Sequence, residues 1–282
     1  MLDKKVKVKD IRDLGSRNYL LTVSAPEQAR LVRPGQFIML KCVEDMEENP
    51  LLRRPFTIFA IHRNGRSGKP DRLELLVRDV GKGTHKLTGL RPGQTLQCLG
   101  PLGRGFNLST EILHSMSTAC LVAGGVGIAP FLLLAQQLMA NNIRPVLFYG
   151  GAAMADLVLR ECFEKLGMDA VYSTEDGSFG EHGLITQSFA RFLEIHPPRR
   201  RNELRVYACG PWGMMKAAHT LSLQHDLPCE ISLEARMGCG LGACLGCVAG
   251  SRDAKGELHY LRVCQEGPVM NSRLIDWDVF PV

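Results

Sequence analysis

The sequence predicts a multi-domain protein that is β first and α/β second. An N-terminal antiparallel β-barrel is expected over 1–110, a doubly wound parallel α/β sheet over 111–225, and a small cysteine-rich domain over 226–282. Three observations predict this. Short, punctuated apolar runs fill the first part. Strands alternate with helices from about residue 115. Four of the ten cysteines gather after residue 238. A chain of 282 residues is long for one compact core and suits two or three domains of about 100 residues each.

The barrel strands are read from Tyr19–Val23, Gln36–Leu40, Phe56–Ile61, Leu73–Val77 and Thr95–Leu99. Arg33-Pro34-Gly35, Asn64-Gly65 and Arg91-Pro92-Gly93 separate them as turns. Thr118–Ala123 is a continuous apolar run, as in a parallel strand buried on both faces. A Gly-rich turn follows it, then a helix over Pro130–Met139. Pro145–Tyr149 is the next strand, and Asp156 is placed as the cap of a helix reaching about Leu166. Asp169–Ser173 and Arg205–Ala208 are further strands, and a helix after Pro211 ends near His225. Strands alternating with helices imply a doubly wound sheet.

Composition excludes several classes. Hydrophobic residues make up 45% and charged residues 22%, an ordinary globular balance, so disorder is not the main state. No apolar run reaches the roughly 18 residues of a spanning helix, and Met1–Lys7 lacks the apolar segment of a secretory signal. The 34 basic and 29 acidic residues give +5, spread along the chain, so neither nucleic acid nor a membrane is expected as a partner. Arg199-Arg200-Arg201 reads as a solvated loop. Ten cysteines without a signal point to a reducing, cytoplasmic setting.

The cysteine spacing is Cys239-x4-Cys244-x2-Cys247-x16-Cys264, with glycines interleaved. A tight glycine loop can wrap a compact cluster and aim backbone N–H groups at sulfur, which stabilises negative charge there. Three close thiolates and a distant fourth match plant-type [2Fe–2S] spacing. A structural zinc is the alternative, although zinc sites favour two paired knuckles and Cys264 stands alone.

Gly124, Gly125 and Gly127 lie in a turn between a buried strand and a helix. Two readings stand: a backbone cradle for a dinucleotide pyrophosphate, or close helix–strand packing. Cys209-Gly210-Pro211 ends a later strand on the edge where α/β ligands bind. Cys209 is either a small thiol against a nicotinamide or a buried strand-end residue. In the barrel, Arg54, Phe56 and Ile58 share one strand face by alternation, with Thr57 opposite unless the strand bends. Arg54 has the donor fork to bridge a pyrophosphate, Phe56 the ring to pack on a flavin, and Thr57 the hydroxyl to bond it. Gly81-Lys82-Gly83-Thr84 precedes a short helical stretch, His85–Leu87, and offers free N–H groups to phosphate.

Taken in order, these motifs resemble the ferredoxin–NADP reductase superfamily. The cysteine segment narrows the resemblance. Arg236–Val248 with Val263–Val269 resembles the electron-transfer subunits of class B dihydroorotate dehydrogenases, over essentially the whole chain. The resemblance implies an FAD barrel, an NAD domain and a [2Fe–2S] domain. Arg54, Phe56 and Thr57 match the flavin strand, with Phe56 where many members carry Tyr, so the ring packs without a hydroxyl contact. Gly81, Gly83 and Thr84 match the flavin phosphate motif. Gly124, Gly125 and Gly127 match the NAD turn, and Cys209 and Gly210 the nicotinamide turn. Ser173-Thr174-Glu175-Asp176 lacks the Arg of NADP-using members, which favours NAD.

The resemblance also implies a partner, an FMN-containing dihydroorotate dehydrogenase catalytic subunit in a hetero-oligomer. Electrons would pass from its FMN through [2Fe–2S] and FAD to NAD, in pyrimidine biosynthesis. Two alternatives remain: a subunit of an NAD(P)H–ferredoxin reductase, sulfide dehydrogenase or soluble hydrogenase, or a zinc-bearing binding module without redox activity.

Overall fold

The computed structural model describes residues 2–42, 49–197, 202–253 and 255–279. The arginine run at 199–201 lies outside these. Six strands close an antiparallel barrel: β1 (Leu2–Gly15), β2 (Asn18–Ser24), β3 (Phe37–Leu40), β4 (Arg54–Arg63), β5 (Pro70–Arg78) and β6 (Thr95–Leu102), in the order β1-β2-β5-β4-β3-β6. Two short helices interrupt it, α1 (Pro26–Ala29) and α2 (Lys82–Thr88). The interior holds Val23, Ile38, Leu40, Ile58, Leu73 and Leu75, all essentially inaccessible. Closure gives every strand a neighbour on both sides for at least part of its length.

β1 is the barrel's longest strand and was not among the expected ones. Its signal is the alternation Lys5-Val6-Lys7-Val8-Lys9, with Val6 and Val8 buried and the lysines exposed, apart from partly hidden positions nearby. It pairs with β2 on one side and β6 on the other.

After α3 (Thr110–Ser115) the chain builds a seven-stranded sheet. Its elements are β7 (Thr118–Gly124), α4 (Phe131–Ala140), β8 (Arg144–Gly151), α5 (Arg160–Glu164), β9 (Asp169–Thr174), β10 (Glu181–His182), α6 (Ile185–Ile195), β11 (Leu204–Cys209) and α7 (Trp212–Gln224). Then β12 (Cys229–Ser232) and β15 (Val269–Asn271) extend the sheet, with the hairpin β13 (Val248–Arg252) and β14 (Leu258–Arg262) between them. The order is β10-β9-β8-β7-β11-β12-β15, parallel except for β15. One apolar layer lies on each face. Phe131, Leu134, Tyr149 and Phe163 belong to one, and Phe148, Phe189, Leu193 and Ile231 to the other.

Three local departures from the sequence expectation have physical causes. Asp156 does not cap a helix. It ends a 3-10 turn (Met154–Asp156), its carboxylate accepts from the Ala153 N–H at 3.3 Å, and α5 opens only at Arg160. The Tyr149 hydroxyl lies 3.0–3.1 Å from the carbonyls of Gly125, Asp156 and Val158, which draws the Asp156 carbonyl away from any helical ladder. The glycine turn enters a 3-10 segment (Gly125–Ile128) before α4 begins. The stretch expected at 85–87 is the middle of α2, so Gly83 and Thr84 sit in its first turn.

The boundary expected at 225 falls just before β12. That strand runs parallel to β11, with Val206 opposite Cys229 and Ala208 opposite Ile231. β15 then pairs with β12, Ile231 opposite Met270. The cysteine-bearing segment is therefore stitched into the α/β sheet at both ends.

Candidate functional site

The strand order reverses between β7 and β11, because β8 lies on one side of β7 and β11 on the other. Such a reversal opens a crevice at the carboxyl ends of the strands, the usual ligand position in open α/β sheets. Both turns singled out in the sequence fall there and pack against each other. A Cβ on Gly127 would stand 2.3 Å from the Cys209 carbonyl oxygen, and one on Gly124 would stand 2.6 Å from Pro211 Cδ. A Cβ on Gly210, at φ +152, would stand 2.9 Å from the Gly124 backbone nitrogen. Gly125 is different. It has φ +52 and open space where a side chain would be. The two readings of the glycine motif therefore divide by residue: Gly124 and Gly127 for packing, Gly125 for an open backbone cradle.

Beside this turn lies a cleft of about 510 Å³, within the size range of small-molecule sites. Gly124, Gly125, Gly151, Pro211 and Met214 form its floor, and Arg78, Asp156 and Glu175 its charged wall. Asp176, next to Glu175, is turned into its own loop. Its carboxylate accepts from the Ser178 N–H at 2.9 Å and the Ser178 hydroxyl at 2.6 Å.

A second cleft of about 280 Å³ joins all three parts of the chain. From the barrel come Arg54, Phe56, Thr57 and Thr84, from the sheet Val126, Pro130 and Cys209, and from the segment beyond β12 Glu234 and Met237. Alternation put Thr57 opposite Arg54 and Phe56, yet all three border this cleft. β4 pairs with β3 along Arg54–Thr57 but meets β5 only from Ile58 onward. The free edge of β4 faces the cleft, so residues from both faces reach it. Phe56 is mostly turned into the barrel core.

Arg54 and the α2 turn, distant in sequence, converge. A Cβ on Gly83 would lie 3.2 Å from Arg54 Nε, so glycine lets the guanidinium settle over the helix start. Gly81 has open space around it. The Thr84 hydroxyl accepts from the N–H groups of Val80 and Gly81 at 2.9 and 3.0 Å. It shapes the turn, leaving the remaining first-turn N–H groups, which a helix start cannot satisfy internally, for an anion. Arg54 donates to the Leu52 carbonyl at 2.8 Å and keeps other donors of its fork.

Cys209 is 3% exposed. Burial raises its thiol well above the ordinary range and the Glu234 carboxylate adds to this, against a smaller lowering by Ser232. A thiol so placed stays neutral at physiological pH. It can lie against a ring but is no thiolate nucleophile.

The four clustered cysteines fall into two close pairs. Cys239 lies beside Cys244, and Cys264 beside Cys247. The Cys264 N–H also donates to the Cys247 sulfur at 3.4 Å. Two thiol pairs suit a centre with two metals, each taking two sulfurs, and the donor set fits a [2Fe–2S] cluster better than zinc. Backbone donors aim at the sulfurs, Leu241 N–H at Cys239 at 3.3 Å and Gly242 N–H at Cys264 at 3.1 Å. Burial alone would raise the Cys239 thiol, but the N–H groups of Leu241 and Cys244 outweigh it and bring it to about 6. Burial and the Cys247 neighbour push Cys264 up to about 12. Cys244 is exposed while Cys247 and Cys264 are buried, so one pair faces outward and one inward.

The six dispersed cysteines are unbridged, and all but the half-buried Cys162 are buried. Arg78 and Tyr149 were not picked out from sequence. Their roles arise from spatial neighbours that no local motif encodes.

Comparisons with known proteins agree with this geometry. Residues 5–106 match an oxidoreductase FAD-binding domain, 121–220 an oxidoreductase NAD-binding domain, and 234–276 the iron–sulfur cluster binding domain of dihydroorotate dehydrogenase B. The chain is 36% identical over 272 residues to the dihydroorotate dehydrogenase B (NAD+) electron transfer subunit of Desulforamulus reducens, covering 96% of this chain and 97% of that one. The protein of the same name from Enterococcus faecalis is 34% identical over 261 residues, 93% of each chain. In fold, the chain is similar to an NADH-dependent reduced ferredoxin–NADP oxidoreductase (TM-score 0.78, 23% identity, 97% of this chain and 90% of that one). It is also similar to a ferredoxin reductase of carbazole 1,9a-dioxygenase (TM-score 0.64, 22% identity, 80% and 67%).

Proposed function

The chain belongs to the family of dihydroorotate dehydrogenase B electron transfer subunits, and from that membership we propose how its residues divide the work. It is an oxidoreductase subunit with FAD-, NAD- and iron–sulfur-binding domains, acting in electron transfer to NAD in pyrimidine biosynthesis. When bound, the iron–sulfur centre supplies one-electron chemistry, the nicotinamide two-electron hydride chemistry, and the flavin both. The partner is a catalytic subunit, and we assign it the FMN and the oxidation of dihydroorotate, in a cytoplasmic hetero-oligomer. Among the described residues no helix is long and apolar enough to cross a membrane.

One observation carries the reading. The cleft of about 280 Å³ has walls from the barrel, from the glycine-turn side of the sheet and from the segment that leads into the cysteine loop. Met237 on that wall is two residues before Cys239. Groups held in these three places are adjacent without any movement of the chain.

In this assignment the units are 1–110 for FAD, 111–225 for NAD and 226–282 for the cluster. Arg54 and the α2 turn at Gly81, Gly83 and Thr84 hold the flavin phosphates. Thr57 bonds the flavin ring and Phe56 shapes the pocket floor. Gly125 cradles the dinucleotide, while Gly124, Gly127 and Gly210 keep the two turns in contact. Cys209, neutral and buried, lies at the nicotinamide side and excludes water there. Cys239, Cys244, Cys247 and Cys264 hold the cluster. The outward pair lies beside exposed Leu241 and Leu245, which makes this loop the docking face for the catalytic subunit.

The test is co-purification with an FMN-containing dihydroorotate dehydrogenase, followed by iron, sulfide and flavin analysis and dihydroorotate-dependent NAD reduction. Wild-type complex should hold iron and acid-labile sulfide and reduce NAD. Cys247→Ser should lose the cluster chromophore while keeping flavin. A complex that reduces NAD equally well without iron, or a colourless zinc protein, would defeat the assignment.

A further inference from the structure

Arg78 closes β5, and its side chain stands at the boundary of two cavities. It lines the larger cleft together with Gly124, Gly125 and Glu175, and the flavin-strand cleft together with Thr57, Leu76 and Cys209. Among the described residues it is the single cation in the wall of the larger cleft, whose other charged groups are Asp156 and Glu175. A dinucleotide diphosphate brings two negative charges into that space. Two carboxylates repel it and the Gly125 turn offers only backbone dipoles, so a cation at this wall would offset the repulsion.

The state of Arg78 suits that role. Its partner is Asp156, at 3.6 Å from Arg78 Nη2, longer than a good hydrogen bond. The pair is partly exposed, 44% for Arg78 and 21% for Asp156, so it is weak and easily shared. A guanidinium has five donors, and this contact leaves most of them available. Asp156 itself is well held. The Tyr149 hydroxyl sits 3.0 Å from both the Asp156 and the Gly125 carbonyls, so one phenol sets the glycine turn and the anchor of Arg78 in a common register.

We propose that Arg78 is the dinucleotide-binding cation. It pairs with the diphosphate on the nicotinamide side, and from the mouth of the flavin cleft it directs the nicotinamide end toward that cleft. This rests on the reading of the larger cleft as the NAD site and adds the charge that the glycine motif lacks.

Equilibrium binding to the FAD-loaded holoprotein tests it, with NAD+ and 5′-AMP as probes and wild type, Arg78→Gln and Arg78→Lys as proteins. Loss of a charge-assisted contact should weaken NAD+ binding by about tenfold or more in Arg78→Gln. Binding of 5′-AMP, which lacks the nicotinamide-side phosphate, should change by less than about twofold. Arg78→Lys should recover part of the NAD+ affinity, because charge returns without the fork. The salt dependence of NAD+ binding should be shallower in Arg78→Gln than in wild type. Flavin absorbance is followed throughout. If Arg78→Gln sheds FAD, Arg78→Lys carries the test with a several-fold weaker NAD+ affinity. Equal NAD+ affinity in wild type and variants, or equal loss for both probes, overturns the proposal alone. Wild-type protein that takes up no NAD+ overturns the cleft reading as well.

Discussion

The backbone N–H of Gly242 donates to the Cys264 sulfur at 3.1 Å. Gly242 holds φ +81, and a Cβ there would stand 1.9 Å from Gln265 Oε1. The Gln265 side chain can swing aside, but a left-handed backbone costs any other residue about 1–2 kcal/mol. Gly242→Ala should rotate this N–H away from sulfur and make the cluster potential more negative, since N–H···S bonds stabilise the reduced charge. Redox titration followed by EPR reads this; an unchanged or higher potential contradicts it.

Two neighbouring glycines should fail in different ways. Gly127→Ala places a Cβ against the Cys209 carbonyl, and overpacking of this kind costs about 1–3 kcal/mol, visible as a lower melting temperature. Gly125→Ala meets no neighbour and carries only left-handed strain. It should melt within a few degrees of wild type yet bind NAD+ more weakly. Equal melting of the two variants would show that the turns are not packed as described.

Glu175 faces the larger cleft, whereas Asp176 is bound to Ser178. A carboxylate near the adenosine ribose would repel a 2′-phosphate. Wild type should prefer NADH, and Glu175→Gln should raise the NADPH:NADH ratio of kcat/KM about three- to tenfold, on the scale of one partly exposed charge contact. A wild-type preference for NADPH would refute the assignment.

His219 links α7 to the C-terminal segment. It stacks on Trp277 at 5.1 Å and shares a 2.9 Å hydrogen bond with Ser272. Burial lowers its pKa, and the nearby Arg273 lowers it further. The folded state therefore binds fewer protons than the unfolded state once pH drops below the ordinary histidine value of about 6.5. This contribution to stability is complete above that pH and is lost as pH falls from there toward the folded pKa. His219→Gln should flatten that part of the melting-temperature profile; a profile identical to wild type would remove His219 as its source.

The sequence disclosed what is local. Three of the five barrel strands it suggested begin within a residue of place, and three of the four clustered cysteines share one glycine-rich loop, where neighbours in space are also neighbours in the chain. What it hid depends on distant contacts. β1 is masked by its lysines. α6 shows Ile185, Phe189 and Leu193 at helical spacing, a signal available but not among the expected elements. That Thr57 shares a cleft with Arg54 follows from where β5 stops pairing, and Arg78 gains meaning only when two cavities meet beside it.

β12 and β15 belong to the same sheet as β7 and β11. The iron-binding loop is thus no limb on a tether but a fixed prow of the body that carries it. If this loop is the docking face proposed above, its reach toward a catalytic subunit is set by the body that carries it and not by a swing of the loop. Cutting the chain after residue 225 would strip two strands from this sheet and lay bare the hydrogen-bonding edge of β11, so a sticky, misassembling fragment is the outcome rather than a smaller reductase.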